Sequence, residues 1–133
     1  MPNVHALIEE SLERLVDAAG DPTPAVYARL FARYPETKEL FVRDTDGAIR
    51  GEMLAKTLEC VLDLAGPNAY AANFIACEIV NHEGVGVPRE VFARFYEVMA
   101  ETFAEIGGPA WKAAYGEAWA GLVARIETVT AAA

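Results

Sequence analysis

The stretch NFIACEIVNHEGVGV, residues 73–87, does most to decide how the chain folds. Its apolar residues return at helical spacing on one side, and His82 stands at the end of that pattern. Gly84 and Gly86 follow closely and are typical of a helix stop. The sequence therefore predicts a helix from about Tyr70 to His82 that carries one histidine in its last turn.

The same helical spacing recurs along almost the whole chain on both sides of this stretch. Clusters of glycine and proline, as at residues 66–68 and 107–109, separate the helical segments. Besides the helix that ends at His82, five more are predicted, over about Val4–Leu15, Thr23–Tyr34, Ile49–Leu64, Phe92–Ile106 and Trp111–Ile126. No strand pattern stands out, so the fold class is all-α, with helix packed on helix. Periodicity alone leaves a bundle and a sandwich of crossing helices equally open.

Composition excludes several classes of protein. The 133 residues, 53 % of them apolar, suit one globular domain over residues 1–133. With 20 acidic and 11 basic residues the net charge is −9, which argues against nucleic acid or an anionic membrane as a partner. No stretch is predicted to span a membrane, and the acidic N-terminal residues do not resemble a secretory signal. We therefore expect a cytoplasmic protein in which Cys60 and Cys77 are buried, reduced thiols.

Histidine is scarce, and this limits the possible metal chemistry. The chain has two histidines, of which His5 lies in the first turn of the first helix and is expected to be exposed. A single interior histidine is too few for most zinc or non-haem iron sites. It is enough for haem, whose porphyrin supplies the other nitrogens. Taken alone, His82 fits a core or helix-capping histidine better than a ligand.

Four segments, in order and at compatible separations, resemble globins. VYARLFARYPETKELF (26–41) resembles the second helix and the turn after it, and RGEMLAKTLECVLDLA (50–65) resembles the distal helix. HEGVGV (82–87) is similar to the proximal motif of bacterial single-domain globins and flavohaemoglobins, and AWKAAYGEAW (110–119) to their last helix. The resemblance implies a globin fold of six main helices around a pocket for haem b, iron protoporphyrin IX.

The resemblance also assigns roles to individual residues. His82 is implied as the iron ligand, Phe41 as the ring that stacks on the porphyrin, and Arg50 and Leu54 as the distal residue and the apolar gate. Tyr27 lies where many bacterial globins place a tyrosine that donates a hydrogen bond to the bound gas. Each of these side chains also has an ordinary interpretation, as core or as surface.

Other assignments lie around the same pocket. Arg43 is placed to meet a haem propionate, although a surface charge is the commoner fate of an arginine. Arg50 is expected to meet either the bound gas or a propionate. Val87 and Phe92 should line the proximal side. Glu78, four residues before His82, either accepts a hydrogen bond from the imidazole or turns outward to a local partner.

Two departures from the family bear on function. The distal position is usually glutamine or histidine, and here it is Arg50. Flavohaemoglobins carry a tyrosine ten residues after the proximal histidine, where this chain has Phe92. We therefore expect reversible binding of O₂, with NO and CO as further ligands, as in oxygen transport or scavenging, by a monomer or homodimer. The alternatives are an NO dioxygenase served by a separate reductase, since no flavin segment follows the last helix, and a haem-free sensor or interaction domain.

Overall fold

A computed structural model describes residues 3–133, in which no strand occurs. Two short 3₁₀ segments, Pro35–Phe41 and Gly108–Ala110, join longer helices. The six α-helices are α1 (Val4–Ala19), α2 (Thr23–Arg33), α3 (Ala48–Ala65), α4 (Ala71–Gly84), α5 (Arg89–Gly107) and α6 (Ala113–Ala132). The six predicted helices and the all-α class are confirmed.

Side chains outside the helices fix several helix ends. The carboxylate of Asp21 accepts hydrogen bonds from the backbone N–H and the hydroxyl of Thr23 at the start of α2, at 3.0 and 2.6 Å. Asp63, near the end of α3, accepts three backbone N–H groups of residues 69–71 and so sets the start of α4. These bonds satisfy donors that the first turn of a helix leaves without partners.

The helices pack as crossing layers around one core. α5 contacts α1, α2, α4 and α6, while α6 also lies against α1 and α4. The indole of Trp119 on α6 donates a 3.0 Å hydrogen bond to the hydroxyl of Ser11 on α1, and both side chains are buried. Because a buried donor without a partner is costly, this bond fixes how α1 sits on α6.

Two expectations about single residues are corrected by the structure. Cys60 is buried as expected, and burial raises the pKa of its thiol to about 11. Cys77 is exposed, because it lies on the face of α4 turned from the buried Ile75 and Ile79, as the exposed Val80 does. His5 is partly buried rather than exposed, since its ring lies against Gly66, where an added Cβ would meet it at 2.6 Å.

No helix within residues 3–133 is both long enough and apolar enough to cross a bilayer.

Candidate functional site

A cavity of about 710 Å³ opens among α2, the first 3₁₀ segment, α3, α4 and α5. A volume of this size is typical of a pocket for an organic cofactor or another small molecule. Its walls are mostly aliphatic and aromatic, with His82, Tyr27 and a few polar side chains among them. The site therefore combines a large apolar surface with a small number of groups able to bind or orient a ligand.

His82 lines the cavity from the last turn of α4. Its Nδ1 lies 2.7 Å from the backbone carbonyl oxygen of Glu78, one helical turn earlier. A carbonyl only accepts, so Nδ1 carries the proton and donates it. In that tautomer the lone pair of the ring lies on Nε2, the nitrogen that can bind a metal. The side chain is 26 % exposed, as expected for a group at the wall of an open cavity.

Tyr27 lines the cavity from α2 and has a fully buried hydroxyl without a hydrogen-bond partner among the described residues. Its ring packs against Phe41 and Phe95, with centroids 5.5 and 5.7 Å away. Burial raises the pKa of this phenol well above its usual range, so the hydroxyl keeps its proton. The Tyr27 hydroxyl is thus a hydrogen-bond donor at the cavity that has no acceptor among the described residues.

The structure brings five of the eight predicted site residues to the cavity wall. Phe41 comes from the 3₁₀ segment, Val87 from the link before α5 and Phe92 from α5 itself. The ring of Phe92 packs 5.0 Å from the imidazole of His82, centroid to centroid. Together with Tyr27 and His82, these residues line the same cavity. Their contact with a cofactor stays a prediction.

Arg50, Leu54 and Arg43 lie outside the lining. Leu54 is buried in the core, and Arg43 is exposed on the turn that follows Phe41. Arg50 and Leu54 share one face of α3, and neither side chain is part of the cavity wall, although the Arg50 charge acts to lower the pKa of Tyr27 against the larger effect of burial.

The guanidinium of Arg50 is held by a single neighbour, Asp44. Nε donates to the Asp44 carboxylate at 2.9 Å, and Nη2 donates to the Asp44 carbonyl at the same distance. The carboxylate also accepts the backbone N–H groups of Ile49 and Arg50, each at 3.0 Å. Burial alone would raise the pKa of Asp44, but these hydrogen bonds and the Arg50 charge outweigh it and lower that pKa.

Several cavity residues were not predicted as site residues. The wall formed by α3 consists of Ile49, Glu52, Met53, Lys56 and Thr57. Ile49 and Met53 each lie one position before the expected Arg50 and Leu54. The spacing of Ile49, Met53 and Thr57 by four residues is visible in the sequence and marks one helix face. Which face meets the cavity depends on the neighbouring helices, so spacing alone could not identify it.

Glu78 and Tyr96 add two more polar groups to the cavity wall. Oε2 of Glu78 lies 3.7 Å from Nδ1 of His82, while Oε1 accepts a 3.3 Å hydrogen bond from the amide of Asn81. Burial raises the pKa of Tyr96, and the charges of Cys60 and Glu78 act in the same direction. Within residues 3–133, no group of three or more His, Cys, Asp or Glu side chains is arranged to hold a metal ion.

Comparison with protein-family models identifies the family. A family model described as Globin matches residues 24–130, which is most of the chain and includes every element of the cavity wall. No curated protein matches the chain.

Proposed function

The chain belongs to the globin family, and on that premise we propose that it holds haem b through His82 and binds a diatomic gas reversibly. One observation carries the proposal: the cavity contains both an imidazole with Nδ1 already engaged and a buried hydroxyl that has no hydrogen-bond partner within residues 3–133. O₂ is the first candidate, with NO and CO as further ligands of the same site.

The donor set fits haem. A porphyrin needs one strong axial ligand and a large apolar surface. His82 offers Nε2, and the cavity walls are mostly apolar. An unpartnered buried hydroxyl costs roughly 1–3 kcal/mol, and a polar ligand in the cavity would offset that cost for Tyr27.

Haem supplies an iron centre with a coordination position open to a small gas. The residues of this chain orient the cofactor and the gas around it. The bond from Nδ1 to the Glu78 carbonyl fixes the tautomer and limits rotation of the His82 ring. Phe41 and Phe92 provide flat apolar contact and exclude water.

Tyr27 is the residue proposed to distinguish among gases. Its hydroxyl keeps its proton because burial raises its pKa, so it donates rather than accepts. A gas that develops partial negative charge on its outer atom gains from this bond, whereas a less polar gas gains little. O₂ should therefore be held more tightly relative to CO than in a pocket without the hydroxyl.

Lys56 is proposed as the cation for an acidic edge of the cofactor. It lies in the cavity lining with a mostly exposed side chain, and its partner Glu59, 3.5 Å away, is similarly exposed, so that this ion pair is weak and can be exchanged for a propionate. Arg50 is engaged with Asp44 and Arg43 lies outside the lining. The propionate contact first expected of the two arginines is thus better supported for Lys56.

Gas binding is better supported than dioxygenase turnover. Phe92 packs on the His82 ring and offers no hydrogen-bond acceptor or donor there. The tyrosine that occupies this position in flavohaemoglobins has no counterpart at the same place.

Haem titration of three proteins tests the proposal. Wild type and His5→Ala should each take up one haem per chain with a sharp Soret band, and the ferrous forms should bind CO and O₂ reversibly. His82→Ala should lose tight uptake. His5 is the matched control because it is the other histidine of the chain. A wild-type protein that takes up no haem, or a His82→Ala variant with the wild-type spectrum, would contradict the proposal.

A further inference from the structure

Glu78 contacts His82 twice, once through its backbone and once through its side chain. The backbone carbonyl accepts the Nδ1 proton at 2.7 Å, while the carboxylate oxygen Oε2 lies 3.7 Å from the same nitrogen. The second distance is too long for a hydrogen bond but short enough for a direct interaction between charge and dipole. The imidazole therefore has a negative charge on the side opposite its metal-binding nitrogen.

The orientation of this carboxylate is set by a neighbour on the same helix. The side-chain amide of Asn81 donates to Oε1 at 3.3 Å, which leaves Oε2 as the oxygen nearer to the ring. Glu78 is only 32 % exposed, so water screens its charge in part. Phe92 covers another side of the imidazole and brings no competing acceptor.

We propose that Glu78 is a positioning residue that strengthens His82 as an electron donor to the haem iron. The inference rests on the proposed function, because it concerns the same His82 and the same cofactor. A negative charge beside Nδ1–H polarises that bond and raises electron density at Nε2, as outer carboxylates do for metal-bound histidines in general. A stronger donor stabilises ferric iron relative to ferrous iron.

The midpoint potential of the haem-loaded protein is the direct measure. Wild type, Glu78→Gln and Glu78→Leu are titrated with dithionite in the presence of mediators. Both variants should favour the ferrous state by about tenfold relative to wild type, a rise of about 59 mV for one electron. Glu78→Gln keeps the size and removes the charge, while Glu78→Leu removes both charge and polarity.

A spectroscopic readout separates this role from a merely structural one. The iron–histidine stretching frequency of the ferrous protein, measured by resonance Raman, should fall in both Glu78 variants. Glu83→Gln is the matched control, because it removes the same charge from the same helix next to His82. The Glu83 carboxylate lies 2.9 Å from the guanidinium of Arg89 instead. Its potential and stretching frequency should stay at the wild-type values.

The outcomes separate this inference from the proposed function. Haem-loaded Glu78 variants with the wild-type potential and stretching frequency would overturn the inference and leave the proposed function standing. An equal shift of the midpoint potential in Glu83→Gln would also overturn the inference, because the effect would then come from the net charge of the protein and not from the position of Glu78. A wild-type protein that takes up no haem would overturn both.

Discussion

His82 and Arg50 are two basic side chains near helix ends, and each donates a hydrogen bond to an acceptor close in sequence. One of them lines the cavity and the other does not. His82 donates Nδ1 to a carbonyl of its own helix and keeps Nε2 for the cavity. Arg50 gives Nε and Nη2 to Asp44 and lies outside the cavity lining. The Nδ1 bond orients the imidazole of His82 and leaves Nε2 free, whereas the bonds to Asp44 engage the guanidinium of Arg50 itself. A basic residue at the expected position can therefore bind a ligand in the cavity only through a group that its local partners leave free.

Tyr27 sharpens this comparison because its hydroxyl has no hydrogen-bond partner in the part of the chain that the structure describes. In the haem-loaded protein, Tyr27→Phe should release O₂ at least roughly tenfold faster, since a hydrogen bond to a partly charged acceptor is worth about 1.5–3 kcal/mol. CO release should change much less. Stopped-flow dissociation rates of both gases measure the effect, and equal acceleration for both would mean that Tyr27 does not contact the gas.

Asp44 tests the other half of the comparison, the residue that holds Arg50. Asp44→Asn weakens two bonds to the start of α3 and the pair with Arg50, so the melting temperature should fall by about 3–5 °C. A control at Asp46, which accepts a single backbone bond nearby, should change the melting temperature less.

The same substitution gives a pH dependence with a defined sign. The pKa of Asp44 is lower in the folded protein than its ordinary value of about 3.9. Its contribution to stability is therefore complete above about pH 4 and is lost as the pH falls through the lower folded pKa. The difference in urea midpoint between wild type and Asp44→Asn should be constant near neutrality and shrink in acid. A difference that grows in acid would contradict the assignment.

Lys56 is expected to have a smaller effect, because its side chain is 70 % exposed. Haem loss to an excess of acceptor apoprotein should be about two- to fivefold faster in Lys56→Gln, as for an exposed ion pair. Arg43→Gln is the control and should match wild type. Faster haem loss in Arg43→Gln than in Lys56→Gln would indicate that Arg43, and not Lys56, contacts the propionate.

Arg50→Leu should have the smallest effect on ligands. With the guanidinium held at Asp44, azide affinity of the ferric protein should change by less than about twofold at both low and high salt. A several-fold loss that grows at low ionic strength would mean that Arg50 leaves Asp44 and enters the cavity.

These residues also indicate how far the sequence alone can lead. The helix that carries His82 was predictable because glycines follow its last turn. His82 was a candidate ligand because the chain has one other histidine, His5. The boundary at Thr23 was predictable for a similar local reason, since Asp21 and a proline mark the start of α2. Such features depend on neighbours within a few positions, which the sequence displays directly.

The face of α3 could not be predicted in the same way. Met53 and Leu54 are adjacent and both apolar, yet one lines the cavity and the other enters the core. Their difference depends on where α1, α2 and α4 lie against α3, which the order of residues within α3 does not show. Cys77 illustrates the same limit, because an apolar run does not reveal which side of α4 the rest of the protein covers.

Chemical rescue of His82→Gly tests the role of His82 most directly. Glycine removes the imidazole and leaves a space that free imidazole can fill. We expect the variant to take up haem tightly only when imidazole is added, and then to regain the wild-type Soret band and ferrous CO spectrum. A His82→Gly protein that binds haem with the wild-type spectrum in the absence of imidazole would show that His82 does not hold the iron.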